Sequence, residues 1–277
     1  MDYNIVTLPA TSLAAGELGA QPLKPEKSVN YSLGMVLKPI PKMTLTIDGY
    51  RIDIKDRIVE SANIGLSPSG VLDPAVAALL QSVNILGVNA GRYFLNGADT
   101  SAVGIDIIGT YLTNFGAYGS IAWTAAANAG HTRITKVLPS ASQILFTTQV
   151  FNQVAQDDLT KTTPNNKLIL SADYSVGRWN VFLRETRFGT FTAPSTVAGG
   201  YSPENPKWTT DLEFGFDVTK QMHIAIGAQN LFDVYPSKTN PKNFNPATFN
   251  GAQIYNADSP FGLSGGNYYA RLSYTWQ

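Results

Sequence analysis

GNYYARLSYTWQ, residues 266–277, decides how the rest of the chain is read. Tyr268, Ala270, Leu272, Tyr274 and Trp276 fall on every second position, with Tyr269, Arg271, Ser273 and Thr275 between them. Strict alternation over this length describes a strand with one apolar face and one mostly polar face. In a soluble sandwich the apolar face meets a second sheet. In an outer-membrane barrel it meets lipid, with aromatic residues near the two interfaces and polar side chains in the lumen.

Composition narrows the choice. The 277 residues allow one large domain or two small ones. Hydrophobic residues make up 44% and charged residues 14%, against roughly 25% charged in soluble domains. Basic and acidic residues balance at 20 each, which leaves no electrostatic case for nucleic acid. With no cysteine there is neither a disulfide framework nor a thiolate metal site. No run approaches the roughly 18 apolar residues of a transmembrane helix, since residues 71–88 are broken by Asp73, Pro74, Gln81, Ser82 and Asn84. That excludes a helical span but not a barrel, whose signal per strand is weaker. Residues 1–18 lack a basic region followed by an apolar core, so they do not read as a signal peptide.

Read in order, residues 1–28 have no periodicity and are expected to be loop. A strand over 28–38 places Tyr31, Leu33, Met35 and Leu37 on one face. After a tight connection at 39–42, Met43, Leu45 and Ile47 are apolar, and then the phase shifts to Tyr50, Ile52 and Ile54. Gly49 sits at the shift, where an extra residue would bulge the strand. The strand is expected to end at Lys55, Asp56 and Arg57. Residues 58–100 read as irregular, with a helix over 73–86 capped by Asp73 and started by Pro74. Strands return at 102–113 and 117–127 around a short turn at 114–116. Residues 129–166 form another long region, within which 131–138 and 143–151 could extend the hairpins. Strands at 167–176 and from Trp179 to Leu183 flank a turn at 177–178. A polar loop covers 189–206. Strands at 208–218 and from Met222 to Ala228 then flank a turn at 219–220, and a loop rich in Asn and Pro spans 231–265.

Nine strands result, with short and long connections alternating throughout. Short turns at one end and long loops at the other are the outer-membrane pattern, with the short turns periplasmic and the long loops extracellular. The expected fold is all-β, an antiparallel transmembrane β-barrel, in preference to a soluble sheet protein. Single-chain bacterial barrels have even strand numbers. An odd count would leave the first strand's edge amides facing lipid, so the chain is expected to be the C-terminal part of a longer barrel.

Several stretches then resemble one family. PEKSVNYSLG at 25–34, DGYRIDIKDRI at 48–58, YFLN at 93–96 with TSAVGID at 100–106, and GAQNLFDVYP at 227–236 are similar to segments of TonB-dependent outer-membrane receptors, in the family's order. The resemblance implies a barrel of about 22 strands with a plugged lumen, of which residues 29–277 supply about nine strands, with the plug domain absent. It also implies outer-membrane lipid, the barrel assembly machinery, the plug and TonB as partners. The implied function is energised uptake of a scarce nutrient such as a ferric siderophore. Such barrels end on an aromatic residue, whereas here Gln277 follows Trp276. The alternatives are a passive pore of oligomerised fragments and a soluble β-sheet binding protein.

Site residues follow from faces and loops. Arg184, Asp211, Glu213, Asp217 and Arg271 are expected to face the lumen, as charge pairs or plug contacts before any role in binding. The loop aromatics Phe244, Phe249, Tyr255 and Phe261 are candidates for stacking on a ligand, against self-packing of the loop. Trp123, Trp179, Tyr268 and Trp276 read as interfacial girdle residues. His131 and His223 are too few and too separate for a metal site, and Asp157 with Asp158 reads as a solvated acidic pair short of a calcium loop. No catalytic set, metal or cofactor is expected.

Overall fold

The computed structural model describes residues 4–67, 71–139, 150–194, 201–238, 254–255 and 259–276. Its elements in chain order are β1 (Ile5–Leu8), α1 (Leu13–Glu17), β2 (Lys27–Leu37), β3 (Met43–Glu60), α2 (Pro74–Ser82), β4 (Ala90–Asn114), β5 (Ser120–Val137), α3 (Gln153–Lys161), β6 (Asn166–Val176), β7 (Trp179–Phe188), β8 (Phe191–Pro194), β9 (Tyr201–Glu204), β10 (Lys207–Asp217), β11 (Met222–Gln229) and β12 (Asn267–Tyr274). Among the described residues, β2, β3, β4, β5, β6, β7, β10, β11 and β12 form one open antiparallel sheet in that order. β1 joins it in parallel beside β4, and β8–β9 form a separate ribbon. The nine-strand meander is the one expected, with β2 and β12 as its edges.

The apolar rows line up because directly opposed residues of an antiparallel pair share a face. One rung runs Met43–Tyr111–Trp123–Ala172–Leu183–Leu212–Ala228–Tyr268. It starts beside the short β2–β3 turn and arrives beside the long β11–β12 connection. That stagger is the register offset that tilts strands in a barrel wall. The face it defines stays bare: Leu272 is 67% exposed and Trp276 85%. Exposed apolar rows spanning a whole sheet need an apolar solvent, which lipid supplies. Trp123, Trp179 and Tyr268 stand on this face too, and all are exposed. Among the described residues no helix is long and apolar enough to cross a membrane.

The buried core lies elsewhere, at the long-loop end. Leu18, Ile64, Val76, Leu80, Tyr93 and Val150 are fully buried there, in a cluster that joins α1, α2 and the first part of β4. Each such side chain contributes roughly 1.5–3 kcal/mol of transfer free energy. α2 starts as its sequence predicts, with Asp73 accepting from the Ala75 amide and Pro74 in the first turn.

Several expectations change. Residues 1–28, expected as loop, carry β1 and α1; Ser12 caps α1 by accepting from the Ala15 amide at 3.2 Å. There is no bulge at Gly49, since pairing is continuous through Leu33–Gly49–Ile105. The apolar phase flips there because the surroundings of the two faces change. Beyond Gly49 the outward positions are Arg51 and Asp53, paired at 2.9 Å. The inward Tyr50 ring is seated where a Cβ on Gly104 would collide with it. The true irregularity comes later, between Ile54 and Ile58, with Asp56 at φ 53°, and β3 runs on to Glu60. β4 begins at Ala90, inside the stretch read as irregular, and β5 extends to Val137, while α3 occupies part of the following region. The possible extension over 143–149 lies outside the described residues. Asp157 is not a solvated acid: it is 3% exposed and pairs with Lys161 at 2.9 Å and Gln153 at 2.8 Å.

Candidate functional site

Strand alternation and register deliver the polar face of β7, β10, β11 and β12 as a ladder of ion pairs. Arg184 and Asp211 are directly opposed across β7 and β10. One carboxylate oxygen of Asp211 accepts from Arg184 Nε at 2.9 Å and Nη2 at 2.5 Å, while the other accepts the Asn230 amide at 2.8 Å. Two positions toward the short turns, Glu213 accepts from Tyr269 Oη at 2.6 Å and Arg271 Nη2 at 2.7 Å. Asp217 meets His223 Nδ1 at 2.7 Å near the short turn. All five predicted charges therefore sit on one face in paired positions, and His223 belongs to the same ladder.

At the long-loop end this face opens into a cavity of about 460 Å³ bounded by Lys167, Arg184, Phe188, Asp211, Asn230 and Phe261. Lys167 Nζ lies 5.2 Å from the centre of the Phe188 ring, and Phe261 packs on Phe188 with ring centres 5.2 Å apart and planes tilted by 36°. The walls thus combine the Lys167 ammonium and the Arg184–Asp211 ion pair with two aromatic rings, a surface suited to π-rich groups and to an anion beside Lys167. Tyr255 is not part of it; it stacks on Tyr235 at 5.1 Å, with the planes 18° apart. Phe244 and Phe249 lie outside the described residues.

The sequence reading did not single out Asn230, Lys167 or Phe188 as site residues. Asn230 has φ 51°, a left-handed conformation that Asn tolerates well. Its side chain accepts from the Val234 amide at 2.9 Å and donates to the Val234 carbonyl at 2.8 Å, closing a tight loop. Asp233 then accepts the Gly266 amide at 2.8 Å, which fastens the loop to the start of β12. The segment Asn230 to Asp233 is thus a latch at the cavity rim. Two signals marked it in the sequence: the Asn followed by Asp before a Pro-rich stretch, and its place in GAQNLFDVYP, one of the stretches that carry the family resemblance. In the same region, burial of Glu204 pushes its carboxyl above the usual range, and the hydrogen bond from the Ser237 amide at 2.8 Å only partly offsets this. Among the described residues no group of three or more His, Asp or Glu could hold a metal.

A staggered antiparallel sheet with a bare apolar face and a polar, ion-paired face is a section of a membrane β-barrel wall. Residues 3–231 match the family described as TonB dependent receptor-like, beta-barrel, and the chain belongs to that family. This is a family of bacterial outer-membrane receptors whose members are transporters rather than enzymes. Among solved structures the fold is similar to the copper transporter OprC (TM-score 0.56, 13% identity). It is also similar to the ferric enterobactin receptor PfeA of Pseudomonas aeruginosa (0.54, 17%) and the siderophore receptor PirA of Acinetobacter baumannii (0.53, 18%). Each alignment covers 92% of this chain but 32% of the other, so the chain spans about a third of their length. At these identities the likeness is one of fold. No curated protein matches.

Proposed function

We propose that the chain forms part of the wall of an outer-membrane importer for a scarce nutrient, with a ferric siderophore as leading cargo and TonB supplying the energy. The observation that carries this reading is the staggered nine-strand sheet, with an apolar belt across its outer face and every long connection at one end. In a bilayer the long connections reach the medium and the short turns reach the periplasm. The cavity lies at the loop end, where a ligand from outside arrives first. Lys167 offers positive charge beside the Arg184–Asp211 ion pair, and Phe188 and Phe261 offer ring faces, a combination that suits an anionic chelate bearing aromatic groups. In the whole importer, capture by the loops precedes displacement of a plug driven by TonB. The 277 residues on their own are expected to bind cargo without driving uphill uptake.

The cysteine-free chain makes topology directly testable. In intact cells, Leu86→Cys in the β3–β4 connection should react with a membrane-impermeant maleimide, whereas Lys220→Cys in the β10–β11 turn should react only after permeabilisation. The opposite pattern sinks the orientation. For cargo, iron-loaded enterobactin titrated into the detergent-folded chain should quench tryptophan fluorescence, and Lys167→Gln with Phe261→Ala should weaken binding about tenfold (~1.4 kcal/mol). If the double variant binds as tightly as the wild type, the cavity is not the cargo site.

A further inference from the structure

The outward face of β2–β5 changes chemistry within a single step. The rungs Leu37–Leu45–Gly109–Ala125, Met35–Ile47–Ile107–Ala127 and Leu33–Gly49–Ile105–Ala129 are apolar. The next is Tyr31–Arg51–Val103–His131, then Val29–Asp53–Ser101–Arg133, and then the Lys27–Lys55 pair. By Arg51, β3 has run about nine residues from its start, the length at which a tilted strand has crossed the hydrocarbon. Lys27, Arg51, Lys55, His131 and Arg133 are all exposed and therefore project from the rim of the apolar belt on the long-loop side. Arg51 is occupied by Asp53. Arg133 stands in the same rung as Asp53 and is attracted to it, and no ion pair among the described residues engages Lys27 or Lys55. At the loop end of β10–β12 the corresponding face shows Trp208, Thr210, Leu212 and Tyr268, with no basic residue, and on β7 the outward Arg187 is held by Asn166 Oδ1 at 2.7 Å.

We infer that this rim binds phosphate-bearing lipid headgroups in the leaflet that faces the long loops. The inference rests on the membrane reading above. Basic side chains at headgroup depth attract anionic lipid, each shifting partitioning about fivefold, and guanidinium pairs with phosphate through two parallel hydrogen bonds. Tyr31 and Val103, in the same rung as Arg51, continue the apolar rows below, so acyl chains and headgroup of one lipid meet complementary surfaces together. A free anion would have no use for the adjoining apolar rungs.

The test compares the full chain with Lys27→Gln/Lys55→Gln/Arg133→Gln, and with a control, Lys38→Gln/Lys42→Gln/Lys220→Gln, at the short turns. Each is placed in phosphatidylcholine bilayers with and without lipid A at about 0.15 M salt, and retained lipid is read by native mass spectrometry. Wild type and control should enrich lipid A, and the rim variant should lose at least about tenfold of that enrichment. Equal enrichment by the rim variant, or an equal loss in the control, overturns the inference. Insertion of wild type into bilayers without selective enrichment overturns this inference alone. Failure to insert into any bilayer overturns the membrane reading, and this one with it.

Discussion

Asp211 shows how much rests on single side chains at the loop end. Its two oxygens join β7, through Arg184, to the latch that opens the β11–β12 connection, through the Asn230 amide. Arg184 is partly exposed, so solvent screening discounts the ion pair, and the stranded amide becomes the larger loss. Asp211→Ala should lower stability by about 2 kcal/mol, measured as earlier thermal unfolding in detergent; Asp211→Asn, which keeps an acceptor for Asn230, should lose less. Glu204 provides a pH handle. Its folded-state pKa is raised, so between the ordinary and the raised value the folded state holds more protons than the unfolded state. Stability of the β8–β9 ribbon should therefore fall as pH rises through that window. Glu204→Gln keeps an acceptor for the Ser237 amide and should flatten the slope, as read by protease nicking of the ribbon against pH. The charges of the ladder were legible because alternation assigns faces whatever the distance. The cavity was not, since Phe188 ends a strand before a polar loop and meets Phe261 only through a fold-level return of the chain. Asp157 was misread because its burial comes from the packing of α3, which no local pattern announces.

At the scale of elements, two kinds of segment behave differently. The nine strands of the meander could be read directly, because each carries a full two-face pattern of its own. β1 and α1 are four and five residues long, too short for any period to register. Their burial depends on distant partners, as in the bond from Tyr93 Oη to the Leu18 carbonyl, 75 positions apart. The phase flip at Gly49 shows a further limit: a period records what each face touches, and a change of surroundings imitates a change of backbone. The lipid face supplies the corresponding test. Leu272→Arg, midway along β12 on that face, should destabilise the folded state in bilayers by about 2–4 kcal/mol, whereas Ser273→Arg, on the polar face, should change it little. Equal effects, measured by refolding into vesicles, would mean the faces have been assigned wrongly.

For the whole molecule, the open edges dominate. Among the described residues β2 and β12 each leave a row of backbone groups without a partner strand, and every such group in hydrocarbon costs several kcal/mol. The 277 residues refolded alone into vesicles should therefore associate edge to edge, giving dimers or larger species on cross-linking; a purely monomeric product would show that the edges are satisfied otherwise. The staggered rungs also bear on how such a wall can change over generations. Losing one residue from a central strand would swap lipid and water faces for everything beyond it on that strand, whereas losing two would keep the faces and alter only the pitch. Length changes inside the belt should thus be inherited in pairs, while odd ones survive only where neither face touches lipid. Among the described residues the strands already obey this grammar: the register shifts, at residues 54–58 of β3 and at Asp99–Thr100 of β4, fall above the last apolar rung.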